Sequence, residues 1–161
     1  MNLHRYLYDD LNKTLYEENN NKNRNNLYPH SGFGKVIYAP TVKNICDPTW
    51  VILECDEEII NYYKWFLNKK GVKVDSPMWG SHISIIKGST WDKIDVEHEE
   101  KWGYNNGQIL EFQYGDLVTN GVHWWLEAHS KQLEVMRQSL GLNTHTGFGF
   151  HVTIGKISKY K

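Results

Sequence analysis

The stretches WGSHISIIK (79–87) and FGFHVTIGK (148–156) carry the same pattern of residue types. Each reads aromatic, glycine, any residue, histidine, Ile or Val, Ser or Thr, isoleucine, any residue, lysine. A single histidine in an apolar run is usually a structural residue, but chance rarely places two of them in matched surroundings. The repeat therefore indicates a duplicated structural unit, and its two histidines are the first candidates for function.

The segments that precede the two histidines also match. In the first copy the strand-like run 50–55 precedes a helical pattern at 57–71, which starts with acidic residues and ends with lysines and a glycine. In the second copy the strand-like run 122–128 precedes a helix at 130–142 that opens on a serine cap. The other predicted strands are 34–39, 82–88, 108–114 and 147–156. The chain thus contains two strand–helix–strand units.

Residues 1–48 form an N-terminal extension in this prediction. Helical spacing of leucines and tyrosines predicts an amphipathic helix over 1–17, and the asparagine-rich tract 18–26 predicts a flexible loop. The repeated units occupy the domain 49–157, with a first lobe at about 49–88 and a second at about 107–157.

Strand geometry assigns the side chains of the repeat to two faces. Successive side chains alternate, so His82 shares a face with Ser84, and His151 shares a face with Thr153. The same rule assigns Ile86 and Gly155 to these faces, and Lys87 and Lys156 to the opposite, apolar faces. If a pseudo-twofold relates the units, two imidazoles and two hydroxyls converge on one central cleft.

The same alternation, applied to the neighbouring strands, adds four candidate substrate-binding residues, which are Trp50, His123, Trp125 and Glu127. An aromatic side chain on each side of a cleft suits stacking on a base, which is worth roughly 1–3 kcal/mol per base. The alternative, that Trp124 and Trp125 only fill the core and the interface between lobes, stays open at this point.

Two facing histidines suit the cleavage of a phosphodiester. The neutral ring takes a proton from the attacking hydroxyl or water, and the protonated ring gives one to the leaving oxygen, because the imidazole pKa of about 6.5 is close to working pH. The hydroxyls of Ser84 and Thr153 can donate to the non-bridging phosphate oxygens and stabilise the developing charge. This chemistry needs neither a metal nor a cofactor, and we expect none.

The motifs His82-Ile83-Ser84-Ile85 and His151-Val152-Thr153-Ile154 resemble the paired HxSx/HxTx signatures of the two-histidine (2H) phosphoesterase superfamily. That superfamily includes RNA 2′,3′-cyclic phosphodiesterases, ligase-like RNA repair proteins and phage enzymes that destroy cyclic-oligonucleotide alarm signals. The resemblance covers residues 49–157 and does not extend to 1–48.

The resemblance implies an α+β, bilobal fold with antiparallel sheets around a central cleft, and metal-independent hydrolysis or transesterification. It implies that His82 and His151 are the catalytic acid–base pair, and that Ser84 and Thr153 bind the phosphate. It does not say which histidine is the base.

The composition of the chain narrows the range of possible substrates. The 18 basic and 19 acidic residues give a formal net charge of −1, which argues against a broad basic face for long nucleic acid. A small cyclic oligonucleotide fits this charge best, and RNA ending in a 2′,3′-cyclic phosphate is the alternative substrate. The frequent Asn, Lys, Ile and Tyr suggest an AT-rich genome, such as that of a phage, and so a counter-defence (anti-CBASS) role rather than RNA processing.

Two other classes of function stay open at this point. A metal-dependent hydrolase would use His123, His129, His145 or His151 with Glu127, but the sequence has no HExxH or HxH motif and no spaced Cys/His set. A non-catalytic binding module would hold a nucleotide on the same fold without turning it over.

The sequence also bears on the compartment. Cys46 and Cys55 are the only cysteines and form no CxxC motif, so we read them as reduced thiols. The N-terminus lacks the apolar stretch of a signal peptide, and no run approaches a transmembrane length. We expect a cytoplasmic protein without membrane contact, in the host cytoplasm if it is viral. The sequence does not indicate the oligomeric state.

Overall fold

The computed structural model describes residues 27–88 and 90–158. The predicted helix over 1–17 and the loop at 18–26 lie outside these residues. The elements, in chain order, are β1 (His30–Tyr38), β2 (Thr41–Val42), β3 (Ile45–Cys46), β4 (Trp50–Cys55), α1 (Glu57–Lys69), β5 (Val74–Asp75), β6 (His82–Lys87), β7 (Ile109–Thr119), β8 (His123–His129), α2 (Lys131–Ser139) and β9 (His151–Ile157).

The strands form one antiparallel sheet that closes on itself. Six strands follow the order β9-β6-β4-β1-β7-β8, and β8 pairs back with β9 to complete a barrel. Strand β5 pairs with the end of β9, and β2 and β3 make a separate two-stranded hairpin. The fold is therefore mostly antiparallel sheet with two helices, an α+β arrangement. The sheet is continuous, whereas the resemblance led us to expect more than one sheet.

Both helices begin and end where local signals place them. The Asp56 carboxylate caps α1 by accepting from the amide of Glu58, and the Ser130 hydroxyl caps α2 by accepting from the amide of Leu133. One cap residue after each helix comes a glycine with positive φ, whose amide bonds to a carbonyl of the last turn. The helices predicted over 57–71 and 130–142 are confirmed, and each is shorter at its C-terminus.

Strand β1 joins the N-terminal extension to the barrel. It lies between β4 and β7 and pairs with both. At Gly34 an added Cβ would meet the Leu53 side chain and the Glu54 carbonyl at 2.6 and 2.8 Å, so only glycine allows β1 to pass this close to β4. The extension predicted at 1–48 thus contributes one strand to the barrel of the domain.

The two repeat units have the same strand register. Glu54 pairs with His82 in the first unit, and Glu127 pairs with His151 in the second. The pairing then shifts at the same place in both, which leaves one extra residue in each histidine strand: Ile85 in β6 and Ile154 in β9. These are β-bulges, which re-aim the side chains that follow them.

The bulges correct the predicted faces of the histidine strands. Ile86, which simple alternation placed beside His82, is fully buried in the core, and Lys87 lies on the histidine side. In the second copy Gly155 is buried against β5, where an added Cβ would meet the Asp75 carbonyl oxygen. The prediction for Ile86, Lys87, Gly155 and Lys156 was therefore wrong, because it assumed unbroken alternation.

One core serves both units. Its fully buried members include Leu53, Ile83, Leu126 and Val152, which occupy matching positions in the two copies. Among the described residues, no helix combines the length and the apolar character that crossing a membrane requires.

Candidate active site

One cavity of about 430 Å³ collects the four residues that the repeat singled out. Its wall includes His82 and Ser84 from β6, and His151 and Thr153 from β9. The two strands meet because Ile83 pairs directly with Val152. Extended by one residue each way, this antiparallel register sets His82 across from Thr153 and Ser84 across from His151. The two histidines are thus diagonal neighbours, which in an antiparallel pair lie roughly 7–8 Å apart, with their Cβ atoms somewhat closer.

Both histidine rings are held in the same way. The Nδ1 atom of His82 lies 2.9 Å from the Gly80 carbonyl oxygen, and Nδ1 of His151 lies 3.0 Å from the Gly149 carbonyl oxygen. A carbonyl oxygen only accepts, so Nδ1–H donates in both cases and Nε2 is left to exchange a proton with a ligand. Gly80 and Gly149 have φ values of 68° and 73°, a conformation that favours glycine and brings each carbonyl back to its histidine.

The environment of His82 favours its neutral form. Burial lowers the pKa of His82, and the positive charges of His151 and Lys87 lower it further. The Gly80 hydrogen bond acts in the opposite direction but does not outweigh burial. His82 is therefore suited to accept a proton at neutral pH.

The indole of Trp50 orients Ser84. Its Nε1–H donates to Ser84 Oγ at 3.1 Å, so the serine keeps its own O–H for a group in the cavity. Trp50 lines the cavity but is only 5% exposed, and it packs edge-on against His82 and Trp79. Its position thus supports a role in holding Ser84 beside the role in binding substrate that the sequence predicted.

The other three predicted substrate-binding residues are not among the described residues that line the cavity. His123 and Glu127 are exposed and Trp125 is half-buried. Trp125 pairs with Thr153, and Glu127 pairs with His151, so each shares a face of the sheet with its partner in β9. Strand β8 pairs with β9 on the side away from β6, however, and these three side chains lie outside the cavity wall that His82, Ser84, His151 and Thr153 share.

The sequence analysis missed several residues of the cavity wall, which are Ile45, Asp47, Met78, Trp79, Lys87 and Trp91. The Lys87 ammonium lies 5.2 Å from the centre of the Trp50 ring and 5.3 Å from that of Trp91. Trp79 and Lys87 are part of the repeated motif, so the repeat itself was a signal for them. The remaining four had no sequence signal, because tertiary packing alone brings them to the cavity.

A buried ion pair holds the bulge that turns Lys87 into the cavity. The Arg137 guanidinium binds both carboxylate oxygens of Asp92, at 2.8 and 2.9 Å, and donates to the Ile85 carbonyl at 2.7 Å. Asp92 also accepts the backbone N–H of Lys87 at 2.9 Å. Burial raises the pKa of the Asp92 carboxyl, but the hydrogen bonds from Arg137 and Lys87 outweigh this effect and hold that pKa below its ordinary value.

The histidines and Glu127 that a metal-dependent hydrolase would use do not form one cluster. His129 and His145 approach the Glu134 carboxylate at 3.8 and 3.3 Å, not that of Glu127. Within residues 27–88 and 90–158, no three His, Cys, Asp or Glu side chains form a group that could hold a metal ion.

Comparison of the chain with family models, with curated proteins and with solved structures gives no significant match. The geometry of the cavity therefore carries the functional argument by itself.

Proposed function

We propose that the chain is a metal-independent phosphodiesterase that cleaves a nucleotide phosphodiester by two-histidine acid–base catalysis. One observation carries the proposal: His82, Ser84, His151 and Thr153 line a single cavity, and both histidines donate through Nδ1 to a glycine carbonyl. Two rings that present Nε2 to the same volume can act as base and acid in one displacement.

The proposal includes a bilobal arrangement in which a pseudo-twofold axis relates the two units. The matched registers of β4–β6 and β8–β9 support it, as do the two bulges at equivalent positions. The direct pairing of Ile83 with Val152, its own counterpart in the repeat, would lie on that axis.

We assign His82 as the base and His151 as the acid. His82 Nε2 takes the proton from a ribose 2′-hydroxyl, and the 2′-oxygen attacks the adjacent phosphorus. The bond from phosphorus to the leaving 5′-oxygen breaks, and the Nε2–H of protonated His151 gives its proton to that oxygen. Each proton transfer contributes about 10²–10⁴ in rate. The resulting 2′,3′-cyclic phosphate can be opened at the same cluster by water.

The hydroxyls of Ser84 and Thr153 stabilise the charge that develops on the non-bridging oxygens. The Trp50 N–H bond to Ser84 aims that donor before the substrate arrives, which avoids reorganisation during the reaction.

The size and charge of the site favour a small substrate. A cavity of about 430 Å³ is within the usual range for small-ligand sites, and the chain carries a formal net charge of only −1. A cyclic di- or trinucleotide is our first choice, in a phage-type counter-defence role in the host cytoplasm. RNA that ends in a 2′,3′-cyclic phosphate is the second choice, because the proposed reaction passes through that group.

The experiment that tests the proposal is turnover in EDTA of cyclic di- and trinucleotides, of RNA with a 2′,3′-cyclic end and of linear RNA. Wild-type protein is compared with the H82A/H151A double variant and with H98A, whose histidine is 80% exposed and pairs with Asp95. We expect wild type and H98A to cleave at least one substrate and the double variant to cleave none. Tight binding of a substrate without cleavage would contradict the proposal and favour a binding module.

A further inference from the structure

Lys87 and its counterpart Lys156 occupy different positions in the two copies of the histidine motif. In the first copy, the bulge at Ile85 turns Lys87 into the cavity wall. In the second copy, Lys156 follows an equivalent bulge but is exposed, and it pairs in register with His123 and Asp75. The cavity therefore has a lysine on one side of the catalytic cluster, contributed by β6.

The ammonium of Lys87 is held by aromatic rings. It lies between the indoles of Trp50 and Trp91, at 5.2 and 5.3 Å from their centres. A cation over an indole is attracted by the ring and gives up part of its hydration. The Asp92 carboxylate accepts a hydrogen bond from the backbone N–H of Lys87, and its charge is paired with Arg137 through two further hydrogen bonds. This arrangement keeps the positive charge at the cavity wall, where an anion can reach it.

The reacting phosphate does not need this lysine. A phosphodiester has two bridging and two non-bridging oxygens, and the cluster supplies two imidazoles and two hydroxyls for them. Because Ile85 is the extra residue of the bulge, Ser84 and Lys87 pair with Ile52 and Trp50 of β4, which are two positions apart, or roughly 7 Å of strand. The Lys87 ammonium, held against Trp91, is placed for a different anionic group.

We propose that Lys87, between Trp50 and Trp91, forms a second anion subsite that binds a phosphate other than the one that reacts. The preferred substrate is then a nucleotide with at least two phosphates, as in a cyclic or linear oligonucleotide, and not a mononucleotide. The inference rests on the proposed function, because it takes the His82/His151 cluster as the site of the reacting phosphate. The single lysine also fixes the direction in which the substrate lies.

Binding of unreactive ligands tests this subsite apart from catalysis. The probes are the deoxydinucleotide dApdA and its derivatives with one more phosphate, at the 5′ end (pdApdA) or the 3′ end (dApdAp). They lack the 2′-hydroxyl that the proposed reaction needs, so they stay intact. Tryptophan fluorescence in EDTA measures Kd for wild type, K87M, K87R and K156M.

We expect one terminal phosphate, and only one, to tighten binding to wild type by about 10- to 100-fold, the usual range for a hydrogen bond to a charged group. K87M removes most of this gain, while K87R and K156M keep it. The subsite is refuted if neither phosphate tightens binding, or if K87M keeps the gain. Urea titration confirms that K87M is folded, and K87R supplies an independent folded variant with the charge present.

The ribonucleotide forms of the same probes separate this inference from the proposed function. If the extra phosphate tightens binding through Lys87 but no ribonucleotide is cleaved, the proposed function fails and the subsite stands. If the ribonucleotides are cleaved but Lys87 does not affect the gain, the subsite fails and the proposed function stands.

Discussion

Replacing Arg137 by methionine should destabilise the protein severely. The Arg137 side chain is 1% exposed, and besides its two bonds to Asp92 it donates to the carbonyls of Ile85, Asn143 and His145. R137M keeps an unbranched apolar stem but removes the guanidinium, and so leaves the Asp92 carboxylate buried without its counter-charge. Removing one partner of a buried ion pair typically costs about 3–5 kcal/mol, a large share of the roughly 5–15 kcal/mol that stabilises a domain.

Urea denaturation followed by tryptophan fluorescence measures this loss. Two further variants serve as controls: the double variant D92L/R137M, which removes both charges, and D95N, which breaks the exposed His98–Asp95 pair. We expect D92L/R137M to recover part of the loss, because no uncompensated charge stays buried, and D95N to cost less than about 1 kcal/mol. A loss below about 1 kcal/mol in R137M would refute the reasoning.

Three further predictions follow from the site. W50F, which keeps an aromatic ring but loses the N–H, should lower kcat by about two- to tenfold. It should lower kcat no further when it is combined with S84A, because Trp50 acts through Ser84. Additive effects of the two substitutions on kcat would contradict a role of Trp50 in orienting Ser84. Because the pKa of His82 is lowered, this base stays neutral to a lower pH than an ordinary histidine. A pH profile of kcat/KM should therefore show its acidic limb below pH of about 6.5, and a limb at or above that pH would contradict the assignment. G155A should lower the free energy of unfolding by about 1–3 kcal/mol in urea titration, since the added Cβ meets the β5 backbone, whereas an unchanged value would show that β5 moves aside.

Much of the local structure was predictable from the sequence. The caps at Asp56 and Ser130 and the glycines after both helices are local signals, and the helices lie where these signals place them. The repeat also predicted that His82 and His151 would lie near each other, because a duplicated unit tends to pack about a twofold axis. Their hydroxyl partners followed from alternation over only two residues.

The rest depends on contacts between distant parts of the chain. Alternation assumes an unbroken strand and gives no sign of the bulge at Ile85, whose carbonyl accepts from the distant Arg137, so the inward position of Lys87 could not be derived from it. Asp92 lies in a segment without clear periodicity, and only the folded chain pairs it with Arg137. The position of β1 between β4 and β7 was likewise hidden, because the motifs that carried the resemblance begin after it.

The measurement that tests the central claim most directly is kcat/KM in EDTA for H82A, H151A and H82A/H151A on the best substrate of the panel. Each single variant should lose about 10²–10⁴ in turnover while its urea midpoint shows a folded protein. The double variant should lose no less than either single variant. Turnover by the double variant at the wild-type rate would contradict two-histidine catalysis outright.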